Sequence, residues 1–203
     1  MKKRSVVLIL IIAAVVLLTG CATSSRTVTR TSADTQTDLS GRWNDTDSRL
    51  VAEKMVEDLM SRPWLSEFVD NNDRKPVVIV GTVRNRSSEH IDTNPFIKDI
   101  ERELINSGKV TFVAGDKQRE EIRKERQDQQ TEAAEETIKR LGEETGADFM
   151  MQGIITSQED MVDGKKAVLY QVDLELINIE TNEKVWLGTK KIKKVIEQRK
   201  FKA

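Results

Sequence analysis

The sequence is short of the side chains on which most small-molecule chemistry depends. It has one cysteine and one histidine among 203 residues. One cysteine excludes an internal disulfide and any metal site built from several cysteines, and one histidine excludes zinc sites that need a histidine pair. The net charge of −1 gives no general attraction to nucleic acid or anionic lipid. Three prolines and ten glycines exclude collagen-like and proline-rich chains.

The chain also lacks the common catalytic and phosphate-binding motifs. It contains no G-x-G-x-x-G, no G-x-x-x-x-G-K-[ST] and no G-x-S-x-G. The single histidine, His90, lies in a polar stretch, where a solvated loop residue is the expected role. Carboxylates are abundant, but they cluster in runs typical of exposed helix surfaces, such as residues 132–136. We therefore expect no enzymatic activity, no cofactor and no metal.

The one long apolar run lies at the N-terminus. Basic residues 2–4 precede an apolar run at 6–18, which is shorter than the roughly 20 residues that a membrane span needs. This is the form of a secretory signal. The run ends in Leu18-Thr19-Gly20-Cys21, which resembles the bacterial lipobox. The resemblance implies cleavage before Cys21 and lipid on that cysteine. Since Ala22 follows, and not aspartate, it also implies the outer membrane, on its periplasmic face.

Composition divides the chain into three parts. We expect a cleaved lipoprotein signal peptide at 1–20, and then a lipidated cysteine with a flexible polar linker at 21–40. The linker is rich in serine and threonine and has almost no large apolar residue, so it cannot build a core. A coil of this length reaches about 25 Å on average. Residues 41–203 are expected to form one globular domain.

Within this domain, helical and strand patterns alternate. An early α-β-α-β order implies a parallel strand pair with a crossover helix. Asp163-Gly164 predicts a hairpin, and lysines near the end predict a protected edge strand. The expected fold class is α/β (α+β): a single, three-layer-like domain with a mixed sheet of four to five strands and helices packed on it. Helices are predicted at 47–61, 95–106 and 116–130, with a short turn at Pro63 and a continuation through Ala134, Ile138 and Leu141. Strands are predicted at 77–83, 109–114, 147–157, 168–180 and 184–195.

Two stretches are candidates for contact with a partner. Arg84, Asn85, Arg86 and Ser87 open a polar loop at 84–94, at the carboxyl end of the first strand, where open α/β sheets tend to bind partners. The alternative is a solvated loop whose asparagine and serine make local turns. The second stretch is a basic cluster that could meet an acidic partner or lipid head groups, or could simply protect the edge strand. Its members are Lys190, Lys191, Lys193, Lys194, Arg199 and Lys200.

Four stretches carry a resemblance to a known family. They are VVIVGTVRNRSSEHID, IKDIERELINSGKVTFV, ETGADFMMQGII and VDLELINIETNEKVWLG. In this order, after a lipobox and a polar linker, they resemble the LpoB family of outer-membrane lipoproteins that activate penicillin-binding proteins. The resemblance covers about residues 41–196. It implies a non-catalytic domain related to the N-terminal domain of TolB, which docks on an accessory domain of a peptidoglycan synthase and stimulates glycan polymerisation and cross-linking. Asn85, Arg86 and Ser87 match the family pattern best.

The linker departs from the family pattern. The best-known members use a long, proline-rich linker to reach a synthase in the inner membrane, whereas residues 21–40 contain no proline. Two functions therefore remain open. One is binding and activation of a penicillin-binding protein, which would regulate cell wall synthesis. The other is that of an envelope assembly or secretion-associated lipoprotein with a TolB-like domain and a different partner. Neither function involves nucleic acid.

Overall fold

The computed structural model describes residues 27–33, 35–133, 139 and 144–197. The chain divides into two compact units, Met1–Thr35 and Gln36–Ala203. Several expectations lie outside the described residues: the signal peptide, Cys21 with its lipobox, and the helix continuation through Ala134, Ile138 and Leu141. Arg199 and Lys200 of the basic cluster lie outside them too. In the part that is described, no helix has the length and apolar character needed to cross a bilayer.

Helices and strands of the larger unit form a mixed sheet with helices packed on it, which confirms the expected fold class. The described helices are α1 (Asp45–Met60), α2 (Pro63–Asn72), α3 (Asn94–Asn106) and α4 (Asp116–Glu132). The strands are β1 (Val77–Arg86), β2 (Thr111–Phe112), β3 (Phe149–Val162), β4 (Lys165–Asn178) and β5 (Lys184–Glu197). Their order in the sheet is β2-β1-β3-β4-β5.

Strand directions follow the sequence prediction. β1 runs parallel to β2, with α3 as the crossover helix, and parallel to β3. β4 is antiparallel to both of its neighbours, β3 and β5. Asp163 and Gly164 join β3 to β4 with φ angles of 44° and 80°, the two positive values that a type I′ hairpin turn requires. β5 lies at the edge of the sheet, as expected.

The core lies between one face of the sheet and helices α1, α2 and α3. Alternate residues of β4, from Val168 to Leu176, are buried on this face, and the intervening residues are half-exposed. This alternation is typical of an antiparallel strand with one face on the core. Trp64 and Phe68 of α2 pack edge-on against Phe149 of β3, with ring centroids 5.2 and 5.4 Å away. For β3, β4 and β5, the described helices therefore supply a layer on one side of the sheet.

Helix starts differ from the sequence prediction. α1 begins at Asp45, two residues before its expected start at residue 47, and its cap is Asn44. The Asn44 side chain accepts the Asp47 N–H at 3.1 Å, and the Asp47 carboxylate accepts the Asn44 N–H at 2.9 Å. This reciprocal pair is a capping box. α3 begins at Asn94, one residue before its expected start at residue 95, and Thr93 at its cap position makes no side-chain capping bond.

The bounds of several other elements also differ. The turn expected at Pro63 is the start of a ten-residue helix, α2. The strand expected at 109–114 pairs only over Thr111–Phe112. β1 continues past its expected end at residue 83 to Arg86, because residues 83–86 pair with residues 153–156 of β3. The loop expected at 84–94 is therefore shorter, and Arg84, Asn85 and Arg86 belong to a strand.

Candidate functional site

A β-bulge in β1 decides which way the predicted site residues face. The register to β3 shifts between Val80 and Val83, where two residues of β1 lie opposite one residue of β3. The extra residue reverses the alternation of the strand. Val83 and Asn85 therefore face the helices, while Arg84 and Arg86 point to the opposite side of the sheet and are exposed.

Asn85 and Ser87 stabilise the loop after β1 by hydrogen bonds within it. The Asn85 Nδ2 donates to the carbonyl oxygen of Glu89 at 2.7 Å. The backbone N–H and the hydroxyl of Ser87 both donate to Asn85 Oδ1, at 2.9 and 2.7 Å. These bonds confirm the local-turn role that the sequence offered as an alternative. Contact of Asn85 and Ser87 with a partner stays a prediction.

Arg84 and Arg86 are the members of the predicted site that are free to meet a partner. Both side chains are exposed, and no ion pair joins either one to an acidic residue within the described ranges. The sequence placed four residues in one loop. The structure instead gives the two arginines a surface position and uses the asparagine and serine to shape the adjoining turn.

A segment before α1, residues 36–44, which we call the strap, is fastened to β5 by a buried lysine. Lys194 is 9% exposed. Its ammonium donates to Asp47 Oδ2 at 2.6 Å, to Asp38 Oδ1 at 2.7 Å and to the Arg42 carbonyl at 2.9 Å. The sequence placed Lys194 in an exposed basic cluster, and this placement is wrong because the even-numbered residues of β5 face the core.

The charges of this cluster shift each other's pKa values. The Lys194 ammonium, with help from Gln36 and Asn44, lowers the pKa of Asp38 to about 2. Burial raises the pKa of Asp47, against the opposing effect of Lys194. Burial alone would lower the pKa of Lys194, but its bonds to the two carboxylates outweigh burial and raise it. At neutral pH the strap is therefore held by a charged lysine between two carboxylates.

Glu89 joins the loop after β1 to the strap and to the sheet. The Tyr170 hydroxyl of β4 donates to Glu89 Oε1 at 2.6 Å, and the backbone N–H of Trp43 donates to Glu89 Oε2 at 3.2 Å. The Trp43 ring packs edge-on against Tyr170, with centroids 5.7 Å apart. Burial and the neighbouring carboxylate raise the pKa of Tyr170 far above its usual value. Tyr170 therefore stays a neutral donor to Glu89.

A polar cleft of about 630 Å³ opens between the strap and this loop. His90 lies on its wall and is exposed, as expected for a solvated loop residue. Across the described ranges, no group of three or more histidine, cysteine, aspartate or glutamate side chains is placed to hold a metal ion. Residues that line the cleft include Arg42, Trp43, Ser88, Glu159 and Lys166.

Sequence reasoning missed Glu89, Tyr170 and Lys194. The partners of these residues are distant in sequence: 81 positions separate Tyr170 from Glu89, and 147 separate Lys194 from Asp47. No local pattern encodes such pairs. One signal was available, because Asn44 and Asp47 have the spacing of a capping box and so predict a fixed backbone just before α1.

A family model described as the peptidoglycan-synthase activator LpoB matches residues 47–192. The chain belongs to the LpoB family. The match starts in α1 and ends in β5, so it includes the β-bulge, both exposed arginines and the loop after β1. Asp38 and Lys194, which fasten the strap, lie outside the matched range. The LpoB resemblance drawn from the sequence is thereby confirmed.

Solved structures similar to this LpoB-family chain include the LpoB C-terminal domain from Salmonella enterica, at 19% identity and a TM-score of 0.33. That match covers 67% of this chain and 94% of the other. The LpoB C-terminal domain from Escherichia coli is 17% identical over 64% of this chain and 93% of its own, with a TM-score of 0.35. Lipoprotein GNA1162 from Neisseria meningitidis is 14% identical over 59% and 83%, with a TM-score of 0.35. No curated protein matches the chain.

Proposed function

We propose that this chain is a lipid-anchored, non-catalytic activator that binds a penicillin-binding protein and stimulates its synthesis of peptidoglycan. Membership of the LpoB family, from the match over residues 47–192, carries this proposal. The family's description names peptidoglycan-synthase activators. A regulatory role also suits the polar cleft and the surface arginines, which offer groups that can bind a partner.

Arg84 and Arg86 are the residues to which we assign direct contact with the synthase. Their guanidinium groups are exposed at the end of a strand, and arginine forks bind carboxylates in two-point geometry. Asn85 and Ser87 support them from the other side of the strand by holding the turn. A rigid turn lowers the entropy cost of binding, because the loop is already ordered before the partner arrives.

Cys21 is the site to which we assign the lipid anchor, on the periplasmic face of the outer membrane. The lipobox-like Leu18-Thr19-Gly20-Cys21 supports this assignment. Two or more acyl chains give stable anchoring, since each buried methylene contributes about 0.8 kcal/mol. Mass spectrometry of the protein from membranes should find lipid on an N-terminal Cys21. The variant Cys21→Ser should lose the lipid and keep the uncleaved leader, and an unmodified Cys21 in the membrane fraction would contradict the assignment.

Activation is tested by mixing the chain that begins at Ala22 with the purified bifunctional synthases of the same bacterium and lipid-linked substrate. Glycan-strand synthesis and cross-linking should both rise when the chain is added. A synthase that lacks its accessory domain is the control and should not respond. Failure to bind or stimulate any synthase would contradict the proposal.

The short tether favours a second candidate, a role in envelope assembly or secretion with another partner. The larger unit starts at Gln36, so 14 residues of the predicted linker lie between Cys21 and that unit. Fully extended, such a segment spans about 50 Å. Cross-linking in cells from position 86 or 90 separates the two candidates. Adducts with a synthase support activation, whereas adducts with other envelope proteins alone support the second role.

A further inference from the structure

The sheet face opposite helices α1 to α3, which we call the open face, carries cations at both of its margins. The strand register places four residues of β1, β3, β4 and β5 in one row across this face. Three strand spacings separate the ends of the row, which is about 14 Å. From one margin to the other, the row runs Arg86, Thr156, Gln171 and Lys191.

Each end of this row has a second cation beside it. Arg84 lies two residues before Arg86 on β1, and Lys193 lies two residues after Lys191 on β5, so each pair points to the same side of its strand. All four side chains are exposed. None has an ion pair with an acidic residue in the part of the chain that the structure describes. The two margins therefore hold unneutralised positive charge.

The two carboxylates in the middle of the open face, those of Asp173 and Glu175, already have hydrogen-bond or ion-pair partners within the sheet. Asp173 accepts the Thr189 hydroxyl at 2.6 Å and the Gln171 amide at 2.8 Å. Glu175 pairs with Lys184 at 2.6 Å. These groups do not neutralise the arginine pair or the lysine pair. Asp173 accepts only from neutral donors, so it keeps its negative charge at the centre of the face while the margins are positive.

Apolar side chains between the margins give the face a surface that excludes water on contact. Ile154 and Leu169 are half-buried, and Leu187 is 67% exposed. A shallow depression of about 200 Å³ is lined by Ile154, Leu187, Arg84 and Asp173, among others. Apolar groups framed by charge are typical of protein interfaces, where the charges steer encounter and fix orientation.

We propose that the open face docks on an acidic surface of the synthase, with the arginine pair and the lysine pair meeting two separate acidic patches. This inference rests on the proposed function and adds the lysine margin and the charge pattern of the partner. A protein fits this pattern better than a membrane does. Lipid head groups present uniform negative charge, which would repel Asp173, whereas a protein can place a neutral or basic group opposite it.

The test uses the chain from Ala22 onward, which retains every described residue, and measures its affinity for the purified synthase at low and physiological ionic strength. Two double variants reverse the charge of one margin each. The first is Arg84→Glu with Arg86→Glu, and the second is Lys191→Glu with Lys193→Glu. Each should weaken binding by about tenfold or more and reduce its salt dependence. The control reverses two exposed lysines outside the open face, Lys109→Glu with Lys124→Glu, and should change affinity less than about twofold. Circular dichroism verifies that every variant is folded.

Three results would overturn this inference without affecting the proposed function. The first is wild-type affinity for the synthase in either open-face variant, and the second is an equal loss of affinity in the control variant. The third is binding of the wild type to phosphatidylglycerol vesicles that the open-face variants lose, although these variants still bind the synthase with wild-type affinity. Absence of wild-type binding to any synthase is a different result. It would contradict the proposed function itself, and it would also contradict the inference about the open face, which depends on that function.

Discussion

A single buried lysine connects the strap, helix α1 and strand β5. Lys194 resembles its neighbours Lys191 and Lys193 in the sequence, and only its direction in the strand separates it from them. Alternation alone places it on the helix-covered face. Alternation cannot predict that Lys194 binds Asp38 and Asp47 on that face, because these partners lie 156 and 147 positions away in the sequence. Buried ion pairs of this kind are decided by tertiary packing, which is why sequence reasoning treated Lys194 as a surface charge.

The substitution Lys194→Met should destabilise the protein strongly. It leaves Asp47 buried without its cation, and breaking a buried pair in this way costs about 3–5 kcal/mol. Urea unfolding monitored by circular dichroism measures the change in the free energy of unfolding. The matched control is Lys193→Met, an exposed neighbour, which should stay within about 0.5 kcal/mol of wild type. Equal stability of the two variants would contradict the stabilising role of the buried ion pair between Lys194 and Asp47.

Acid should loosen the strap through Asp38. The pKa of this carboxyl is lowered from 3.8 to about 2 in the folded protein, chiefly by Lys194. A lowered pKa stabilises the folded state above the unfolded value, and this contribution disappears as pH falls through the folded value. Wild type should therefore be more stable than Asp38→Asn at pH 6. The difference should shrink below about pH 4, fall to a small part of its value near pH 2 and disappear below it. A difference as large at pH 2 as at pH 6 would contradict the ion pair.

At the scale of elements, the sequence predicted long periodic helices and strands well. It predicted poorly the strand ends that depend on pairing with a distant strand. The apolar spacing of α1 and the alternation of β4 are local signals, and both elements are found where they were expected. The end of β1 is different. Residues 84–86 are polar enough to suggest a loop, and they are a strand only because residues 154–156 of β3 pair with them. The bulge that turns the two arginines outward has the same long-range origin.

Close approach of β3 to β4 requires a glycine directly after the point where the bulge meets β3. A Cβ on Gly153 would lie 2.3 Å from Leu174 Cδ2 and 2.8 Å from the Asp173 carbonyl oxygen. Gly153→Ala should therefore destabilise the sheet by about 1–3 kcal/mol through overpacking. Gly146→Ala is the control, because a Cβ there meets no atom within 4 Å. Thermal unfolding of both variants tests this, and equal melting temperatures would argue against the tight contact.

The larger unit is a mixed sheet in which β3, β4 and β5 have the described helices on one side. The sequence predicted the mixed sheet, the edge strand and the family, since each depends on local patterns or on their order along the chain. It placed Arg84 and Arg86 in a loop, whereas both belong to β1, and their contact with a partner stays a prediction. It could not predict the open face, because a face that joins four strands exists only after the register is set.

Glycan polymerisation by the partner synthase is the most direct measurement of the central claim. Wild-type chain and the Arg84→Glu, Arg86→Glu variant are compared at equal concentration, with the Lys109→Glu, Lys124→Glu variant as control. We expect stimulation by wild type and by the control, and stimulation reduced to near the basal rate in the arginine variant at a concentration that saturates wild type. Equal stimulation by all three would contradict the assigned contact, and no stimulation by wild type would contradict activation itself.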